Sequence, residues 1–272
     1  MGDLRLHLRR QRLTLDEGGH RVWRTVTEET AWPAAATALL LCDVWDSHWC
    51  RGARERMEPL VPRMNETAAV AREAGVQIVH APSGTMDHYA DHPARLRALE
   101  ADPADPPEGL PEAARDPESL VGRLFAPGGE AAEYDPPLPV DAADNGTTTA
   151  ENDSYKAWTS QHPGIEIDPG RDLISDDGRL VYACLQALGV TRMLILGVHT
   201  NMCVLHRSFG IKQMTKWGVE TALIRDLTDT MYSPARPPYV DHDEGTRLVV
   251  GYAEKFWCWS VDSADVLAGP AG

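Results

Sequence analysis

Basic residues are scarce in this 272-residue chain: 26 Lys and Arg stand against 41 Asp and Glu, a formal net charge of −15 with a pI near 5.0. So acidic a surface does not neutralise phosphates, which excludes a nucleic-acid partner, and it does not dock on anionic lipid. No apolar run approaches the roughly 20 residues that cross a bilayer. The N-terminal MGDLRLHLRRQRLTLDEGG scatters charges where a secretory leader needs an apolar centre. Gly2 does not announce myristoylation, because the position that wants Ser or Thr holds Leu6. Cysteine is also sparse: Cys42, Cys50, Cys184, Cys203 and Cys258 are odd in number, widely spread and without a CxxC pair. That argues against a disulfide framework and a structural zinc site, and a reducing cytoplasm is the expected location. Neither GxGxxG nor GxxxxGK[ST] follows any apolar run, so no nucleotide phosphate cradle is expected.

What is present is an alternation of short apolar runs and helical periodicity. TALLLCDVW (37–45), VQIVHAP (76–82), RDLIS (171–175), TRMLILGV (191–198) and VETALIRDL (219–227) have the character of buried strands, and CWSVDSADVL (258–267) supplies a sixth. Helices are expected over 57–75, ending at Gly75, over 91–101 with Asp91 as a cap, over 176–189, from Cys203 to about Gly218, and near 243–256. The rhythm implies an α/β fold: a three-layer α/β/α domain over 36–272 around a mostly parallel six-stranded, Rossmann-like sheet. Residues 1–35 alternate polar and apolar around a Gly-Gly turn and form an arm or hairpin ahead of it. A Pro-, Asp- and Glu-rich stretch over about 102–160 is an insertion, with the character of a lid.

In open parallel sheets ligands bind beyond the carboxyl ends of the strands. Asp43, HAPSGTM and GVHTNMC all fall at such ends. The last places Cys203 at a strand-to-helix corner behind Thr200 and Asn201, either of which suits a helix cap. A thiol in a first helical turn has its pKa lowered by the dipole and by unpaired N–H groups, and the same groups can hold a developing oxyanion. Covalent catalysis at a carbonyl fits this corner; a small buried apolar cysteine fits it equally.

LLLCDVWD and LILGVHTNMCV together resemble the isochorismatase-like cysteine hydrolases, a superfamily that includes nicotinamidases and carbamoyl amidases. The family pattern has an aspartate closing the first strand and a G-x-x-T-x-x-C-V corner after the fourth; the family usually has Gln where Trp45 stands. The resemblance implies Cys203 as nucleophile, Asp43 as proton carrier, and the backbone N–H groups of His199 and Cys203 as the oxyanion hole. It also implies a cis peptide at Val198–His199 and a homo-oligomer acting on a small-molecule amide. The family's lysine, which helps hold the cysteine as a thiolate, has no counterpart near the end of the third strand, where Asp176 and Asp177 stand. Lys156 is the substitute expected to reach Cys203, with His206, three residues along, as a fallback partner.

Trp45, His48, Trp158 and Thr200 are expected to line the substrate pocket. Metal ligation by Asp87, His88, Asp91 and His92, or by Asp46, His48 and Cys50, is not favoured, and no cofactor is expected. The function that follows is hydrolysis of a C–N bond (amide, carbamoyl or ureide) through a thioester. The alternatives are a vinyl ether hydrolase of the isochorismatase type, which needs the aspartate and not the cysteine, and a catalytically silent binding protein on the same fold.

Overall fold

The centre of the molecule is a row of leucine-, isoleucine- and valine-rich strands buried on both faces, as parallel strands must be when crossover helices cover them. In the computed structural model, which describes residues 2–102, 136–142 and 158–269, these are β3 (Thr37–Cys42), β4 (Gln77–Ala81), β5 (Leu173–Ile174), β6 (Arg192–Val198), β7 (Glu220–Asp229) and β8 (Trp259–Val261). All six run parallel. The N-terminal segment adds β1 (Asp3–Leu15) and β2 (Arg21–Pro33), paired antiparallel. The sheet is therefore eight-stranded, in the order β2-β1-β8-β7-β6-β3-β4-β5.

The N-terminal segment is a hairpin, as the sequence suggested, and it is joined to the central sheet. Arg9 of β1 pairs with Ser260 of β8, and Leu4, Leu6, Leu8 and Trp32 are buried in one core with Ile224, Val261 and Val266. Glu254 ties the joint from the other side, accepting hydrogen bonds from Arg9 Nε at 2.7 Å and Ser260 Oγ at 2.6 Å.

Helices cover both faces. On one lie α2 (Val61–Ala74) and α7 (Ser263–Leu267); on the other lie α4 (Gly178–Ala187), α5 (Ile211–Lys216) and α6 (His242–Phe256). Two short helices complete the set, α1 (Arg51–Met57) and α3 (Pro93–Leu99). The helix expected over 57–75 is α2, entered through a 3-10 turn at Glu58–Leu60 and ended by Gly75 at φ 99°. The cap of α3 is His92, whose Nδ1 accepts from the Ala94 N–H at 3.2 Å, and not Asp91. Among the described residues no helix is long and apolar enough to cross a membrane. Most of the insertion, Lys156 included, lies outside the described residues.

A buried ion cluster braces β4 against the segment leading to β5. Asp172 accepts from Arg72 Nε at 2.9 Å and Nη2 at 2.7 Å, and lies 3.0 Å from His80 Nε2. Burial pushes the Asp172 carboxyl up, but hydrogen bonds with His80 and Arg72 outweigh it and hold it at about 2. This contribution is present above the carboxyl's ordinary value near 3.8 and is lost as pH falls through about 2. Arg72→Met strands the carboxylate in the interior; urea denaturation is expected to show a loss of about 3–5 kcal/mol at neutral pH.

The chain runs from β3 outward through β4 to β5, then returns to the opposite side of β3 as β6. The carboxyl ends of β3 and β6 thus form the point where the winding reverses, which is where open α/β sheets form their crevice.

Candidate active site

Asp43 is the first residue beyond β3, and the Gly197–Val198–His199 end of β6 lies beside it. The two strands approach so closely that a Cβ on Gly197 would sit 2.0 Å from the Cys42 carbonyl oxygen, and Gly197 has φ 116°. Only glycine fits there. The next peptide, Val198–His199, is cis. Asp43 itself holds φ 50°, in the left-handed region that aspartate tolerates better than most residues. Its backbone N–H donates to the Ala81 carbonyl at 3.1 Å, and its Oδ1 accepts from the Ser83 N–H at 2.7 Å. The carboxylate is thus fixed from both ends of the β4 turn and fully buried.

After His199 the chain makes a π-helical turn, Thr200–Val204, that carries Cys203. The long helix expected from Cys203 onward is broken: the backbone turns through Arg207–Gly210, and α5 begins only at Ile211. Neither Thr200 nor Asn201 caps it. Thr200 Oγ1 is 2.7 Å from Thr228 Oγ1, and Asn201 clasps Met231 through both its amide atoms at 3.0 and 3.1 Å. Tertiary partners have taken the side chains that suit a local cap. Thr200 is fully buried and is not among the residues that line the small cavity beside this corner.

Cys203 is partly exposed, whereas Cys42, Cys50, Cys184 and Cys258 are buried. Its thiol is hydrogen-bonded to Asp43. Burial, followed by the Asp43 charge, pushes the Cys203 pKa up to about 12; Arg207 and the His199 N–H oppose this without prevailing. The standing thiolate expected from the first-turn position is therefore not the resting state. The sulfur is a thiol with a carboxylate poised to take its proton. Burial likewise raises Asp43, and the Arg207 charge, the Cys203 thiol and the Ser83 N–H hold it down.

Among the described residues, the cation at this pair is Arg207. Its Nε donates to Asp43 Oδ2 at 3.1 Å. It follows Cys203 by one turn, with its N–H on the Cys203 carbonyl at 3.0 Å, so the thiol and the guanidinium share a face. The sequence reading missed it by looking for a lysine. Asp176, in the slot that reading examined, instead accepts from the Gly84 N–H at 2.9 Å and so steadies the Ser83–Gly84 turn. His206 points elsewhere, with Nδ1 3.1 Å from the Met202 carbonyl oxygen and Nε2 2.9 Å from Lys212 Nζ.

Trp45, His48 and Trp158 do come together. Trp45 and Trp158 stack at 3.8 Å with an interplanar angle of 6°, and His48 lies 5.6 Å from Trp158 and 5.2 Å from His199. Trp45 Nε1 donates to the Ser83 carbonyl at 3.1 Å, which fixes the stack next to the turn that holds Asp43. Asp46 anchors the other end by accepting from the Thr159 N–H at 2.9 Å. Burial lowers His48 to about 4 and His199 to about 3, so both rings are neutral at neutral pH. A small cavity lined by Trp45, Ser47, His48, Ala53, Arg54, Met57, Val198 and His199 adjoins the corner.

No three His, Cys, Asp or Glu side chains among the described residues form a group that could hold a metal ion. Asp46, His48 and Cys50 diverge: Asp46 holds Thr159, His48 Nδ1 accepts from the Cys50 N–H at 3.0 Å, and Cys50 is buried.

No family model and no curated protein sequence matches the chain. Solved structures similar to it include a cysteine hydrolase from Pseudomonas syringae pv. phaseolicola, 15% identical, covering 87% of this chain and 94% of that one with a TM-score of 0.49. Another is an isochorismatase from Pseudomonas putida, 12% identical, covering 85% and 90% with a TM-score of 0.46. A third is an isochorismatase family protein from Desulfovibrio vulgaris, 14% identical, covering 86% and 98% with a TM-score of 0.45.

Proposed function

We propose that this chain is a cysteine-dependent hydrolase that cleaves a C–N bond in a small amide, carbamoyl or ureide compound. One observation carries the reading: the one cysteine that is not buried shares its proton-bearing edge with a buried carboxylate, and that carboxylate is paired to a permanent cation. A sulfur kept for packing has no use for either neighbour.

In this mechanism Cys203 Sγ attacks the carbonyl carbon while its proton passes to Asp43. The backbone N–H groups of His199 and Cys203 receive the oxyanion. As the intermediate collapses, the C–N bond breaks and Asp43 returns the proton to the leaving nitrogen, releasing ammonia or an amine. Water then attacks the thioester, giving its proton to Asp43, and the C–S bond breaks. That proton finally restores the thiol. Arg207 keeps Asp43 ionised between steps, and the neutral Trp45–Trp158–His48 wall positions an uncharged part of the substrate.

The test is ammonia or amine release from a panel of primary amides, ureas and N-carbamoyl compounds. Turnover of at least one class is expected; cleavage of a vinyl ether alone would favour the isochorismatase-type reaction, and no turnover of either a silent binding protein.

The pH profile tests Arg207 separately. Asp43 must be ionised to accept a proton, and burial raises it, so the acid limb of kcat/KM is expected above the ordinary value near 3.8. Arg207→Met removes the opposing charge and should shift that limb further up. Arg207→Lys should restore the acid limb and introduce an alkaline one near lysine's value of about 10.4.

A further inference from the structure

The outer edge of β2 is a long strand with no described neighbour on that side. It runs for 13 residues, and its pairing with β1 is unbroken from Asp3↔Pro33 to Leu15↔Arg21, so no bulge bends it away. Between Arg21 and Trp32 it has no proline, glycine or lysine. Monomeric proteins blunt exposed edges with proline, with lysine and other charges, or with bulges, because a bare edge is a template for another strand; the charges on this edge are Arg21, Arg24, Glu28 and Glu29, of both signs.

The charges on this edge are unbalanced within one chain. Arg24 stands directly across from Arg12 in the β1–β2 register. Like charges in that position are unfavourable. Arg12 leans to Glu28, with Nη2 2.9 Å from Oε1, while Arg24 is exposed and has no carboxylate partner among the described residues.

We infer that β2 pairs antiparallel with β2 of a second copy of this chain, about a two-fold axis at Val26, and so makes one continuous sheet across the dimer. In this register Arg24 meets Glu28 of the partner subunit and Glu28 meets the partner's Arg24. Val26 meets its own copy, Thr25 faces Thr27 of the partner subunit, and Val22 faces the partner's Thr30. Moving the axis by one residue, a two-residue slip of the paired strands, sets Val26 against Glu28 of the partner subunit in one direction and Arg24 against the partner's Val26 in the other, and the Arg24–Glu28 pairs are lost in both. The place is also favoured by charge. Residues 3–33 hold six arginines and five acidic residues, a net +1 on a chain of net −15, so two copies repel least along this edge.

The register makes a reciprocal prediction. Arg24→Glu sets like charge against Glu28 of the partner subunit at both crossings, and Glu28→Arg does the same against the partner's Arg24; each single variant is expected to weaken association about tenfold or more. Mixed in equal amounts, the two variants regain both ion pairs in a heterodimer, and so does a chain carrying both changes. Sedimentation velocity of the full-length protein over a concentration series reads the mass, with circular dichroism confirming that each variant is folded. Halved mass for Arg24→Glu, recovered in the double variant, supports the interface. Should Glu28→Arg fail to fold, Val26→Pro replaces it as the second disrupting change. A monomeric wild type, or an oligomer indifferent to Arg24→Glu and Val26→Pro, overturns it.

Discussion

Cys203→Ala is expected to lower turnover of any amide substrate by roughly 10⁴-fold or more, since no other group can form the thioester. The fold should not notice. Cys203 is only partly buried, and with the sulfur gone Asp43 keeps its Ser83 N–H at 2.7 Å and its Arg207 at 3.1 Å. Cys184→Ala provides the contrast. That sulfur is buried, 3.5 Å from the Ala98 carbonyl oxygen, and burial pushes its pKa to about 11. Its loss costs packing and leaves turnover intact. A vinyl ether hydrolase that used Asp43 alone would keep its activity in Cys203→Ala.

Asp43→Asn is expected to cut kcat by about 10³-fold or more while leaving substrate binding near its wild-type strength. The amide matches the carboxylate in shape, accepts the Ser83 N–H, and tolerates φ 50° as well as aspartate does. It cannot accept the thiol proton, and it leaves Arg207 without its charge partner. The stability effect has the opposite sign. Burial raises Asp43 in the folded state, so ionisation opposes folding. Its contribution is fully present below the ordinary value near 3.8 and is lost as pH rises through the folded-state value. Asp43→Asn removes that term. Its Tm at neutral pH should equal or exceed the wild-type Tm, with a weaker dependence on pH between acid and neutral. A variant that is dead and yet no less stable marks a group held for chemistry.

The parts of this site that were legible in the sequence are those set by local pattern. Apolar runs such as LLLC and MLILGV announce buried parallel strands, and the reversal of winding puts Asp43 and the His199 corner together from topology alone. What escaped depends on competition that a linear reading does not see. Thr200 and Asn201 are good caps on their own, but Thr228 and Met231 claim them. A first-turn cysteine reads as a thiolate, yet burial beside a carboxylate outweighs the backbone N–H that favours the anion. Arg207 was within reach, since a cation four residues from a helical cysteine shares its face; attention to a lysine slot on another strand hid it. The Gly210 break was signalled by Ser208-Phe209-Gly210, which the apolar period around it masked. Lys156, the cation that reading preferred, lies outside the described residues.

The most direct measurement is the mass of the protein caught in mid-reaction. With a substrate amide from the panel mixed in excess and quenched in acid within the first turnover, wild-type protein should gain the mass of the acyl group, localised by digestion to the peptide that contains Cys203. Turnover that proceeds with no such adduct, and that survives Cys203→Ala, would contradict the thioester and with it the role given to the Asp43–Cys203 pair.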